Sequence, residues 1–166
     1  MSETFDTIEA MEEKKLPSGL NTLTILTIIG CAVGLIFSVW GFTNAEKRVT
    51  DMEKAMASPD FDKMPDFAKK MMTPEALEVT RTAATNKVPI LIISLVGVTL
   101  CFVAALQMRK QKMQGYYLYL LGEIFPVICI PIFMGMAAYK GFGIIGLIIP
   151  VLFVILYTVQ RKHLTK

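Results

Sequence analysis

The residue best suited to chemistry in this chain is Glu123, an acid inside the apolar run YYLYLLGEIFPVICIPIF at 116–133. Tyr116 and Tyr119 precede it by seven and four residues, which on a helix puts both phenols on its own face. A carboxylate in hydrocarbon costs at least a few kcal/mol, so the group must face a bundle interior, face water, or be protonated. Pro126 removes the backbone donor to the Gly122 carbonyl, and Pro131 does the same for Val127, so the helix around the acid is expected to kink. Two chemistries fit. One is a proton or cation site beside a broken helix, as in ion-coupled carriers. The other is a neutral or snorkelling acid, hydrogen-bonded to Tyr119, to Tyr157 or to a base of the 109–112 turn. The second is favoured. Thr22, Thr24, Thr27, Ser38, Ser94, Thr99 and Thr158 add hydroxyls to the apolar segments, and no second acid and no internal duplication accompany Glu123.

Other constellations are thin. The chain has no Gly-rich phosphate loop, no H-E-x-x-H, no C-x-x-C and no serine, base and acid set, so no catalytic residues are assigned and a non-enzymatic protein is expected. Met52, Met56, Met64, Met71 and Met72 cluster between the first two apolar segments, and thioethers suit Cu(I). No Cys or His joins them, and His163 lies apart in a basic tail, so apolar helix faces are the better reading; no metal or cofactor is expected. Cys31, Cys101 and Cys129 fall in apolar segments and are read as small packing residues.

The elements that must hold Glu123 are long apolar helices. Hydrophobic residues make up 54% of the 166, with mean hydropathy +0.53, both high for a soluble chain. They gather at 20–42, 88–108, 116–139 and 142–160, each near the roughly 20 residues a helix needs to cross hydrocarbon. Lipid cannot hydrogen-bond exposed peptide groups, and these blocks lack the alternation of barrel strands. The expectation is therefore an all-α integral membrane protein, a four-helix bundle with a helical extracytoplasmic loop at 43–87. A polar tail at 1–19, a basic turn at 109–115, a short outer turn at 140–141 and a basic tail at 161–166 complete the chain. Basic residues sit in the connections, which reads as membrane flanking and excludes a nucleic-acid surface. Arg109, Lys110 and Lys112 in the short turn, with Arg161, Lys162 and Lys166 in the tail, place both termini in the cytoplasm of a plasma membrane, of the bacterial inner-membrane kind. The eight basic residues within 43–87 run against this orientation, but the rule is sharpest for short connections.

The long loop carries a near-repeat, PDFDKM then PDFAKKM, followed by TPEALEVTRTAA, where Thr73 is a candidate N-cap and Pro74 a first helical residue. Met52, Met56, Phe61, Met64, Phe67 and Met71 are its candidate partner or membrane-surface residues. Gly30, Gly34 and Ser38 form a small-residue face on the first span, with Gly97 on the second and Gly143 and Gly146 on the fourth, all read as helix-packing positions. Pro150 adds a third expected kink. Together these features predict an accessory, assembly or scaffolding subunit, contacting the bilayer and other membrane proteins or itself. The alternative is a small ion- or proton-linked permease using Glu123.

Overall fold

The computed structural model describes residues 16–139 and 144–164. The tail at 1–15, the outer turn expected at 140–141, Gly143 and residues 165–166 lie outside the described residues. No strand occurs among the described residues. Helix α1 (Ser18–Thr43) is followed almost without a break by α2 (Ala45–Ala57), Asn44 closing the first helix with its side-chain amide on the Trp40 carbonyl, 3.0 Å. A 3₁₀ turn at Phe61–Lys63 and the short α3 (Asp66–Met71) lead to α4 (Pro74–Thr85). The Thr73 hydroxyl caps α4 by accepting from the Ala76 amide at 3.1 Å, with Pro74 at its first position, where no amide donor is required. Helices α5 (Lys87–Arg109) and α6 (Met113–Met134) are joined by a tight turn in which Gln111 takes φ 54°. A 3₁₀ segment at Met136–Tyr139 and α7 (Ile145–Gln160) follow.

Three of these helices, α1, α5 and α6, are long and apolar enough to cross a membrane. The described part of α7 has 16 residues, roughly 24 Å at 1.5 Å per residue, short of a full crossing. The third apolar block differs from its expected 116–139: α6 begins at Met113 and ends at Met134. Gly135 sets the stop, because it turns to φ 73°, a conformation glycine tolerates without strain, and donates its amide to the Pro131 carbonyl at 2.8 Å. The helix runs through both Pro126 and Pro131.

Helix α5 is the centre of the bundle, packed along α6 on one side and α1 on the other, while α7 touches α1 and α6 more lightly. The α5 and α6 seam works because glycines let the backbones meet. A Cβ added at Gly115 would stand 2.8 Å from the Ala104 carbonyl oxygen, and one at Gly122 would stand 2.7 Å from the Cys101 sulfur. At Gly97 the neighbour is Pro126, whose Cγ would lie at 2.5 Å. The buried core gathers at the end nearest the basic turn, where Leu20, Ala104, Met108, Tyr119 and Tyr157 are almost fully enclosed.

Outside the bundle, α2 lies against α4. Arg81 ties them, donating Nε and Nη2 to Glu53 Oε1 (3.1 and 2.7 Å) and Nη1 to Glu78 Oε1 (2.9 Å). Met52 faces this seam, its sulfur accepting from the Thr80 hydroxyl at 3.8 Å.

Candidate functional site

Glu123 is the eleventh of the 22 residues of α6, so it sits at the helix centre, about 15 Å from the start at 1.5 Å per residue. Its half-buried carboxyl lines an open-sided cleft of about 360 Å³ bounded by all four long helices: Gly30, Gly34 and Ser38 of α1, Ser94 and Gly97 of α5, and Ile149 and Phe153 of α7. Glu123 is the one charged residue among the described residues of this lining.

The polar side chains around it are committed to each other. Tyr116 does not meet the acid; its hydroxyl pairs with Thr158 Oγ1 at 2.9 Å, because the phenol points across to α7. Tyr157 does not meet it either, since its hydroxyl is 2.7 Å from Thr27 Oγ1 on α1. Of the basic turn, Arg109 turns toward α1 and donates to Asn21 Oδ1 at 3.1 Å. Tyr119, one helical turn before Glu123, is the expected phenol close enough to interact with its carboxyl. Cys101 was read only as a packing residue, yet its thiol donates to Glu123 Oε1 at 3.8 Å. Its four-residue step from Gly97 was the available signal, because that spacing puts both on the face of α5 that meets α6. Among the described residues no cation bonds or pairs with Glu123.

Below the acid, toward the basic turn, the rings of Tyr119 and Tyr157 pack with centroids 4.6 Å apart and, with Thr27, close the bundle. Thr27, which lines the cleft, links it to this buried pair. Ser38 and Ser94 on its walls bond their own helices, to Gly34 O at 2.7 Å and Ile90 O at 2.8 Å. Their hydroxyls thus leave the walls largely apolar.

The small-residue positions separate by environment. Gly97 makes a close helix contact, and a Cβ at Gly34 would reach only Val98 at 3.4 Å. At Gly30 and Gly146 nothing lies within 4 Å of a built Cβ, so neither makes a close contact inside the described bundle. Gly115 and Gly122 do carry close packing and were missed, although their seven-residue spacing marks one face of α6. Two of the three intrahelical prolines have consequences that can be followed. The Gly122 carbonyl freed by Pro126 faces Gly97, and the Val127 carbonyl freed by Pro131 accepts from the Tyr139 hydroxyl at 2.9 Å. Pro150 lies within α7 and lines the cleft. Of the loop set, Met52, Met56, Phe61 and Met64 are half-buried, while Phe67 and Met71 are 61% and 43% exposed. Among the described residues no group of three or more His, Cys, Asp or Glu is placed to hold a metal ion.

Comparison with protein-family models, with curated proteins and with solved structures finds no match to this chain.

Proposed function

We propose that this is a non-enzymatic, four-helix membrane protein serving as an accessory, assembly or scaffolding subunit of a larger membrane complex. In this reading α7 is the fourth span, supported by the outward Ile148, Val151, Leu152, Ile155 and Val159. Both termini lie in the cytoplasm, and α2 to α4 stand on the opposite side of a plasma membrane. One observation carries the reading: the segment between α1 and α5 is a built platform. Arg81 clamps α2 to α4, and α3 presents Phe67 and Met71 outward beside Lys69 and Lys70. A mere spacer has no need of such order. The test is gentle extraction from the native membrane, sizing, and mass-spectrometric identification of what co-migrates. Stoichiometric membrane partners, lost in a Phe67→Asp, Met71→Asp double variant, are the expected result; migration of the unaltered chain alone overturns it.

The cleft supports a second reading, a small ion- or proton-linked permease, because an acid with no paired cation among the described residues lines a cavity reached by all four long helices. Here Glu123→Gln abolishes flux in proteoliposomes, whereas a subunit held through the α2 and α4 platform keeps its partners with that substitution. Undiminished flux in the Gln variant ends this second reading.

A further inference from the structure

The cleft beside Glu123 has more volume than a proton needs and too few ligands for a metal ion. Hard cations take six or more oxygens. Here the Ser38 and Ser94 hydroxyls serve their own helices, Thr27 serves Tyr157, and the freed Gly122 carbonyl faces Gly97, which leaves one carboxyl. Its volume of about 360 Å³ falls in the range of small-molecule sites, and its walls are Leu26, Val98, Ile149, Phe153 and glycine backbone. A ligand that fits these walls brings its own apolar surface and one positive charge. It needs a single counter-charge, which Glu123 supplies, and it offsets the cost of keeping that carboxylate in a low-dielectric site.

We propose that this cleft binds an organic monocation with an apolar body, of the lipophilic ammonium or phosphonium class. The proposal deepens the permease reading and rests on it for biological purpose, but binding is separable from flux. The groups that reach Glu123 are the Cys101 thiol on α5, 3.8 Å from its Oε1, and the Tyr119 phenol one turn earlier on α6.

The experiment is equilibrium binding of tetraphenylphosphonium to the full chain in lipid nanodiscs, with tetraphenylborate as the anion of matching shape. Saturable binding of one phosphonium per chain is expected, weakened roughly ten-fold or more in Glu123→Gln and largely kept in Glu123→Asp. Gly30→Leu, which places a side chain in the open space of the cleft, should weaken it too. Saturable one-per-chain binding of the borate above its uptake by empty nanodiscs, or unchanged phosphonium binding in the Gln variant with helicity intact, overturns the site. Phosphonium binding without any flux removes the permease reading and leaves the site standing. Flux that phosphonium does not inhibit overturns the site and keeps a permease for another ion.

Discussion

At the scale of single residues, Gly30 and Gly97 are both glycines of long apolar helices, yet a methyl group would meet empty space at one and Pro126 at the other. Gly97→Ala should destabilise the bundle by about 1–3 kcal/mol, because proline ring and backbone must both move. Gly30→Ala should be neutral or gain up to ~1 kcal/mol from helix propensity. Unfolding of the purified chain in mixed micelles reads both, and a Gly30 variant as damaged as the Gly97 one would refute the cleft. The sequence distinguishes these glycines poorly. Spacing marks a small face, but whether the neighbouring helix stays close at that height depends on side chains far along the chain. Glu123, by contrast, is legible at once, since a lone acid in an apolar run is conspicuous in any register. Its partners were not, because Tyr116 and Tyr157 each had a nearer hydroxyl in Thr158 and Thr27.

At the scale of elements, α6 keeps two prolines by finding another donor for at least one freed carbonyl. The Tyr139 hydroxyl from the following 3₁₀ segment reaches Val127 O, and the Asn86 amide at the junction of α4 and α5 donates to Phe133 O at 3.1 Å. Tyr139→Phe should therefore cost about 1 kcal/mol. Combined with Pro131→Ala, which restores the backbone amide, the same change should cost close to nothing. A double-mutant cycle measures this coupling, and additive effects would show that the tyrosine serves only as an interface anchor. Element identity was largely readable from hydropathy and from the Thr73 and Pro74 pair. The ends were less so: α6 starts earlier than its apolar run because Met113 and Gln114 cost a helix little, and it stops at Gly135 although apolar residues continue.

At the scale of the whole molecule, the platform outside the bundle is fastened to α5 by Lys87, whose Nζ lies 2.6 Å from Glu46 Oε1 on α2 and 5.5 Å from the Phe42 ring centroid. The Lys87 hydrogen bond and charge hold the Glu46 carboxyl below its ordinary value of 4.5. A folded value that is depressed means the contribution is complete above the unfolded value and disappears as pH falls through the folded one. Hydrogen exchange of α2 should accordingly rise as pH drops below about 4.5, after correction for intrinsic exchange, and Lys87→Gln should flatten that rise. The pair is exposed to solvent, so added salt should shrink the difference. Identical profiles for the two chains would show that the platform is held by packing alone.

What the sequence by itself determined is the solvent this protein answers to: helical blocks too apolar for water, basic residues confined to connections, and one acid that hydrocarbon will not tolerate uncompensated. Those conclusions follow from composition and periodicity, which are local quantities summed along the chain. Only the tertiary structure decided that the glycine face of α1 borders a cleft and that α5 is the central helix. It also decided that Tyr119 and Tyr157 pack together in the buried core and that Tyr157 pairs with Thr27 rather than with Glu123. Each of these depends on which side chains from distant segments reach the same point first, and in lipid that choice is made by close packing and hydrogen bonding between helices, with no hydrophobic drive to announce it in advance.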